Sequence, residues 1–179
     1  MCVLCVVACA ALAQVIIYDA LTNEVEASLT RFMDVAHGAT FRSDGRLIVA
    51  GGQLPLVQVF DVATRSCLRQ FRGHTGAIRV TRFAADNTHV VSMSDDKTVR
   101  LWDLTTEQSL LTLDQAHTDY IRGGCASVAS HDVWYSGGYD HAVKTWDVRS
   151  SSRTQMAVYD HGAPVEVSGF QFDRRDYFF

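Results

Sequence analysis

The sequence predicts an all-β fold made of repeated small sheets, and three observations support that prediction. The stretch from His74 to Asp103 contains three runs of strand-forming residues, AIRVTRF, HVVSM and TVRLW, separated by the turn-forming segments AADN and SDDK. An aromatic residue followed by aspartate recurs at intervals of 42, 42 and 44 residues, at Tyr18, Phe60, Trp102 and Trp146. Histidines keep step with it, at His74, His117 and His161. A period of about 40 to 45 residues with these marks predicts the four-stranded blades of a β-propeller.

The repeat divides the chain into blades. We expect the end of one blade in residues 1–32, a first nearly complete blade in 33–74, a second in 75–117, a third in 118–161, and the start of a further blade in 162–179. A propeller closes with typically four to eight blades, and seven blades need about 300 residues. With 179 residues, the chain is therefore predicted to form an incomplete arc of about three to four blades out of an expected seven. We expect a fragment, a truncated gene product or a part that needs a partner.

The frame that opens with Gly-His and closes with Trp-Asp resembles the WD-repeat family. Gly73-His74 and Trp102-Asp103 enclose the three predicted strands of the second blade, and Trp146-Asp147 ends the corresponding strands of the third. The resemblance implies that a histidine, a serine, an aspartate and a tryptophan of each blade form a buried hydrogen-bonded tetrad. Two blades carry such a set, namely His74, Ser92, Asp96 and Trp102, and His117, Ser136, Asp140 and Trp146.

The tetrads also contain the residue types of a serine hydrolase, but their recurrence favours architecture. The same set occurs twice, each time in step with the repeat. An aspartate can accept from the histidine, whose other nitrogen meets the serine hydroxyl, so every polar group is satisfied without a substrate. Neither the strand-turn-helix nucleophile elbow nor an oxyanion hole is evident in the sequence. We therefore predict structural tetrads, no catalytic residues and no enzyme.

The first blade departs from this pattern. Phe32 occupies the expected position of the tetrad histidine, Ala50 that of the strand hydroxyl, and Leu54-Pro55 the turn where an aspartate belongs. Packing alone is therefore expected to hold this blade together.

Composition and motifs exclude several function classes. A net charge of −4 argues against a protein that works mainly by neutralising nucleic-acid phosphates. The odd number of cysteines, five, fits a reducing intracellular compartment better than a disulfide framework. There is no G-x-x-x-x-G-K-[ST] and no H-E-x-x-H motif. The sequence therefore predicts no cofactor and no metal site.

The amino-terminal stretch has several interpretations. Residues 2–13, CVLCVVACAALA, are apolar throughout, and residues 11–13 imitate a signal-peptidase site. No Lys or Arg follows Met1, however, and the run is shorter than the roughly 20 residues of a spanning helix. We expect two buried strands here, with a signal peptide or a mis-assigned start as alternatives. Cys2, Cys5 and Cys9 lack a second cysteine pair and a nearby histidine, so packing is favoured over zinc.

Arginines cluster in two parts of the sequence. One cluster comprises Arg65, Arg69, Arg72, Arg79 and Arg82, and the other Arg149, Arg153, Arg174 and Arg175. We favour a solvated or partner-facing rim over direct RNA contact, and take Arg69, Arg72, Arg79 and Arg149 as a candidate partner surface. Trp146-Asp147-Val148-Arg149 also resembles the W-D-x-R pattern of propellers that act as substrate receptors of cullin-type ubiquitin ligases.

Several sequence segments outside the tetrads are similar to those of one WD-repeat family, the U3 small nucleolar RNA-associated protein 15 family. They include ATFRSDGRLIVAGG, LRQFRGHTGAIRVTRF, DYIRGGCAS, YDHAVKTWDVR and HGAPVE, and they run collinearly from about residue 31 to residue 166. The resemblance implies a non-catalytic scaffold of the small-subunit processome in the nucleolus, within the nucleus. It would support ribosomal-RNA transcription and small-subunit RNA processing. Implied partners are other processome proteins and the pre-ribosomal ribonucleoprotein, with no membrane and no small-molecule substrate.

Overall fold

The structure, a computed structural model, describes residues 5–8, 13–19, 21–30, 32, 34–127, 130–149, 155–160 and 162, with the backbone alone for 5–8 and 155–160. These residues form fifteen strands, and no helix occurs among them. Every strand pairing is antiparallel and joins strands consecutive in the sequence, which gives one three-stranded and three four-stranded sheets. The predicted all-β fold of propeller blades is confirmed.

The leading sheet contains β1 (Cys5–Ala8), β2 (Val15–Tyr18) and β3 (Val25–Leu29). The first blade contains β4 (Ala36–Phe41), β5 (Leu47–Gly52), β6 (Leu56–Asp61) and β7 (Cys67–Arg72). The second blade contains β8 (Ile78–Phe83), β9 (His89–Ser94), β10 (Val99–Asp103) and β11 (Ser109–Leu113). The third blade contains β12 (Ile121–Ala126), β13 (Val133–Gly138), β14 (Ala142–Asp147) and β15 (Gln155–Asp160).

The leading sheet matches the last three strands of a blade. Tyr18 pairs with Val25 next to a register shift, as Phe60 pairs with Cys67 in the first blade. β1 therefore corresponds to the second strand of a blade. Of the two strands predicted in residues 2–13, the structure describes β1, and residues 1–4 and 9–12 lie outside the described ranges. The further blade predicted in residues 162–179 also lies outside them, apart from Gly162.

The first strands of the three blades lie side by side. β8 contacts both β4 and β12, and β1 contacts β4. The hydrophobic core is divided into layers between neighbouring sheets. The layers contain Ile17, Leu29 and Phe60; Val49, Phe71 and Trp102; and Met93, Ile121 and Trp134. Each blade therefore depends on its neighbours to bury its faces, as expected of a repeat architecture.

Close contact between the second and third blades helps to explain a glycine in the first strand of the third blade. Gly124, in the segment YIRGGCA, lies against Met93 of β9, and a Cβ at this position would overlap the Met93 Sδ atom. A Cβ would also lie 2.7 Å from the backbone oxygen of Tyr135 in β13, so a larger residue would require both Met93 and the backbone to shift. The glycine thus accommodates both the neighbouring blade and the adjacent strand of its own blade, and a single-blade pattern does not predict the first of these contacts.

The aspartate of the aromatic-Asp pair closes the hairpin after the third strand. Asp103 Oδ1 accepts hydrogen bonds from the backbone N–H groups of Thr105 and Thr106, at 2.6 and 3.0 Å. The corresponding carboxylates, Asp19 and Asp61, accept from the turns that follow them. Each turn contains a non-glycine residue with left-handed backbone, namely Asn23 (φ 56°), Arg65 (φ 56°) and Glu107 (φ 62°). The three hairpins thus share one geometry at intervals of 42 residues.

None of the described residues belongs to a helix with the length and apolar character needed to cross a membrane.

Candidate functional site

The second blade brings its four predicted tetrad residues together. His74 Nδ1 lies 2.8 Å from Asp96 Oδ2, and His74 Nε2 lies 2.7 Å from Ser92 Oγ. The indole N–H of Trp102 donates to the same Ser92 oxygen at 2.7 Å. Because that oxygen accepts from the indole, its O–H can donate to His74 Nε2, which leaves Nδ1–H to donate to Asp96.

The third blade repeats the arrangement. His117 Nδ1 lies 2.7 Å from Asp140 Oδ1, and His117 Nε2 lies 2.7 Å from Ser136 Oγ. The Trp146 indole donates to Ser136 Oγ at 2.8 Å. Each tetrad links the loop before the first strand with the second and third strands, and every polar group has a partner. The arrangement favours a structural role.

Burial and hydrogen bonding act together on the ionisation of the tetrads. Burial by itself would raise the pKa of the Asp96 and Asp140 carboxyls, but hydrogen bonds from the histidines and from backbone N–H groups hold both pKa values below the ordinary range. Burial lowers the pKa of His117, against the opposing effect of Asp140. Ser92 and Ser136 are fully buried, so neither hydroxyl is accessible to a substrate.

The first blade fills the same space with apolar side chains. The Phe32 and Phe60 ring centroids lie 5.1 Å apart, and both rings are buried with Ala50 in one cluster. Leu54, which stands in the turn of the missing aspartate, is 38% exposed. The structure thus places packed apolar side chains where the next two blades have hydrogen bonds.

The four arginines of the candidate partner surface lie in different surroundings. Arg69 contacts Leu104 O and Glu107 across the junction with the second blade. Arg72 is exposed, and beside it a cavity of about 150 Å³ is lined also by Phe32 and Leu54. Arg149, with a 60% exposed side chain, pairs with Asp147 two residues earlier. Arg79 is largely buried between blades. Their role as a partner surface stays a prediction.

The structure reveals a second constellation, which we call the bulge row and define as His37, Arg79 and Arg122. In each blade the pairing of the first two strands skips one residue of the first strand, and the skipped residue is His37 in β4, Arg79 in β8 and Arg122 in β12. Such β-bulges redirect a side chain, and they are common next to functional sites.

The bulge row is connected across all three blades. Arg79 Nη1 lies 2.8 Å from His37 Nε2 of the first blade, and Arg79 Nη2 pairs with Asp95 Oδ2 at 2.6 Å. Arg122 Nε of the third blade lies 3.3 Å from Asp95 Oδ1. Asp95 is therefore shared by two arginines of neighbouring blades. It precedes the tetrad residue Asp96, so the bulge row and the tetrads occupy the same end of the sheets.

Two tyrosines frame the last member of the row. The Arg122 guanidinium lies 5.5 Å from the ring centroid of Tyr120 and 5.0 Å from that of Tyr139. Tyr120 is 45% exposed. Sequence reasoning missed this group, although Tyr120 and Arg122 belong to the segment DYIRGGCAS, one of those that carry the family resemblance. His37, Arg79 and Arg122 are each the second residue of the first strand of a blade. An alignment of the repeats would have shown this shared position, and it is the signal that could have identified the row.

Among the described residues, no three His, Cys, Asp or Glu side chains come together as a metal site. Burial raises the pKa of the Cys125 thiol to about 12, so the reactive thiolate is suppressed there.

Comparison with known proteins agrees with this geometry. The family model of the WD domain, G-beta repeat, matches residues 65–103, which include the whole tetrad of the second blade. The chain is 41% identical over 150 residues to the U3 small nucleolar RNA-associated protein 15 homolog of Xenopus tropicalis and 45% identical over 150 residues to that of Bos taurus. It is 36% identical over 153 residues to U3 small nucleolar RNA-associated protein 15 of Saccharomyces cerevisiae.

Each of these matches covers 84% of this chain and 28% to 30% of the relative. The chain thus spans about three tenths of the length of these relatives. The similarity includes the blade that lacks a tetrad as well as the two that have one. The chain is therefore a WD-repeat protein that resembles U3 small nucleolar RNA-associated protein 15 over most of its own length.

Proposed function

We propose that this chain is part of a non-catalytic scaffold of ribosome biogenesis that works within the small-subunit processome. The observation that carries the proposal is the similarity over 84% of the chain to proteins named for their association with U3 small nucleolar RNA. The proposed role includes support of pre-ribosomal RNA transcription and of small-subunit RNA processing. It places the protein in the nucleolus, with processome proteins and the pre-ribosomal ribonucleoprotein as partners.

A scaffold role is supported by the state of the polar groups. The residue types that suggest a hydrolase are buried and bonded to one another, as in the Ser92 hydroxyl between His74 and Trp102. Catalysis by serine requires a hydroxyl that reaches the substrate and an oxyanion hole beside it. We therefore expect Ser92→Ala and Ser136→Ala to affect stability and to leave any chemical activity of the assembly unchanged.

Affinity purification of the tagged full-length protein tests the proposal. Wild-type protein should recover other processome subunits together with pre-ribosomal RNA. Asp114→Ala, a change at an exposed position outside the strands, should recover the same set and serves as the matched control. Recovery of neither subunits nor RNA by wild-type protein would remove the proposal.

A ubiquitin-ligase receptor is the second candidate, and one observation favours it. Arg149 of the W-D-x-R pattern is exposed and pairs with Asp147, and the hydrogen bonds that it donates lower the pKa of the Asp147 carboxyl to about 2. A fixed, exposed guanidinium is a suitable contact for an adaptor protein. Co-purification of a cullin adaptor with wild-type protein, and its loss in Arg149→Ala, would support this function. Absence of the adaptor from wild-type samples would exclude it.

A further inference from the structure

We propose that the bulge row and its two tyrosines form a docking surface for a protein segment with an acidic side chain. The carboxylate of that segment would accept hydrogen bonds from the terminal guanidinium nitrogens of Arg122. The proposal deepens the scaffold function by naming a surface and a partner chemistry, and it rests on that function for the premise that the chain has protein partners.

The first argument is the hydrogen-bonding state of Arg122. Its Nε–H is buried and has no hydrogen-bond partner among the described residues, and the same holds for Asp95 Oδ1, 3.3 Å away. Over the same ranges, neither terminal nitrogen of Arg122 donates a hydrogen bond. An arginine offers five N–H donors in a planar fork, which matches a carboxylate through two parallel bonds. The fork of Arg122 is therefore available for a ligand.

The second argument is charge. Arg79 and Arg122 share the single carboxylate of Asp95. Arg79 has the shorter contacts, with Nε and Nη2 at 2.9 and 2.6 Å from Asp95 Oδ2. His37 adds a hydrogen-bonding ring and no carboxylate. The group thus has one positive charge in excess, which one incoming carboxylate would neutralise.

The third argument is the setting of that charge. The Arg122 side chain is 25% exposed, and the rings of Tyr120 and Tyr139 limit the directions from which water reaches it. Partial exclusion of water strengthens a charge-assisted hydrogen bond. Arginine and tyrosine are also the residues enriched at energetically dominant positions of protein interfaces. Tyr120, 45% exposed, offers an aromatic surface to the residues that flank the acidic one.

The same facts favour a protein over RNA. Binding to nucleic-acid phosphates depends on several lysines and arginines that displace counterions together. This group has one uncompensated charge, Asp119 lies directly before Tyr120, and the chain as a whole has a net charge of −4. A single aspartate or glutamate needs only the one fork that Arg122 provides.

Fluorescence anisotropy on the full-length protein tests the docking surface. The probes are a labelled decapeptide of alternating Glu and Gly, the same peptide with Gln in place of Glu, and a ten-nucleotide uridine RNA. We expect the Glu peptide to bind about tenfold or more tightly than the Gln peptide. Arg122→Gln should weaken that binding at least about tenfold. Arg46→Gln removes an exposed arginine from the turn between β4 and β5 and is the matched control, which should change binding less than about twofold.

Two further variants separate docking from folding. Arg122→Lys keeps the charge and loses the fork, so it should also bind the Glu peptide about tenfold more weakly. Tyr120→Ala should weaken binding severalfold while its denaturation midpoint stays at the wild-type value. Glu-peptide binding that is indifferent to Arg122→Gln, no preference for Glu over Gln, or preferential binding of the RNA would each overturn the inference.

The outcome is separable from that of the proposed function. If wild type and Arg122→Gln recover the same processome subunits and RNA, and the Glu peptide fails to bind, the docking surface is wrong and the scaffold function stands. If wild-type protein recovers no processome component, the scaffold function fails whatever the peptide does.

Discussion

The first and second blades have equivalent strand pairings and fill the space between their strands in opposite ways. Phe60 pairs with Cys67 in one blade and Trp102 with Ser109 in the other, each beside a register shift. In the first blade Phe60 packs with Phe32 in an apolar cluster. In the second blade Trp102 belongs to the hydrogen-bonded tetrad with His74. Both blades form a four-stranded sheet with the register shift at the equivalent place.

The comparison shows that the tetrad is not required to build a blade. A buried polar network contributes to stability only when every member has a partner, and apolar residues of similar volume can replace it at little cost. The two blades should therefore fail in different ways. The apolar blade is sensitive to lost volume, whereas the polar blade is sensitive to the loss of a single acceptor.

The largest effect is expected in the apolar blade. Phe60→Ala should lower the free energy of unfolding by about 3 to 5 kcal/mol, because the side chain is fully buried and leaves a cavity beside Phe32. Chemical denaturation of the full-length protein measures it. Leu68→Ala, at a 42% exposed position of β7, is the control and should change stability by less than about 0.5 kcal/mol. Equal effects of the two changes would show that this cluster does not support the blade.

Removal of the acceptor should have the next largest effect, in the polar blades. Asp96→Ala leaves His74 Nδ1 and the backbone N–H groups of Thr75 and Thr98 without their acceptor. We expect a cost of about 1 to 3 kcal/mol, and a similar one for Asp140→Ala. Equilibrium denaturation measures both, with Asp114→Ala as the exposed control. An Asp96→Ala midpoint equal to wild type would mean that the tetrad contributes nothing.

Acid should destabilise the polar blades through titration of the tetrads. His117 has its pKa lowered below 6.5 in the folded state, so its contribution is present above about pH 6.5 and is lost as the pH falls through the folded value. The carboxyls of Asp96 and Asp140, lowered from 3.8, act in the same direction below about pH 4. The midpoint of wild-type protein should therefore fall on acidification from pH 7.

His117→Gln isolates the histidine part of that effect. The variant should be less stable at pH 7, yet its midpoint should fall less steeply than that of wild type between about pH 6.5 and pH 5. The first blade has Phe32 at the position of the tetrad histidine, so it has no counterpart of the His117 titration. Parallel midpoint curves for the two proteins would contradict the assignment.

The smallest effect is expected from an attempt to restore one polar residue in the apolar blade. Leu54→Asp places a carboxylate at the position of the tetrad aspartate, but Phe32 offers it no donor, and the position is 38% exposed. The free energy of unfolding should stay within about 0.5 kcal/mol of the wild-type value. A change as large as that of Asp96→Ala would mean that Leu54 is part of the packing that holds the blade.

Much of the fold could be predicted because each blade contains, within its own stretch of sequence, the residues that mark its strands and turns. The aromatic-Asp pairs mark the end of the third strands, since that aspartate closes the following hairpin. The histidine and serine of each tetrad are 18 or 19 residues apart, so their spacing is nearly constant. The absence of a tetrad from the first blade was also visible, because Phe32 and Ala50 are apolar residues at positions that need polar ones.

Contacts between blades could not be predicted in the same way. The bulges that turn Arg79 and Arg122 toward Asp95 depend on one skipped residue in the pairing, and the same letters fit a regular strand. The need for Gly124 depends on Met93, which belongs to the neighbouring blade. Likewise, the candidate surface of four arginines rested on their spacing in the sequence, whereas the structure gives each a different partner.

The three equivalent hairpins share a left-handed residue at the same position, so the turn of one sheet should be able to replace the turn of another. Asn23, Arg65 and Glu107 occupy one conformation after equivalent aspartates, so a turn moved from one sheet to another meets the same strand ends and the same acceptor. A left-handed backbone disfavours side chains with a Cβ. Glycine at position 65 or 107 would relieve that strain without removing a core contact. Evolution or design can thus vary the loop sequences of this protein blade by blade, while the strands between them keep a common frame.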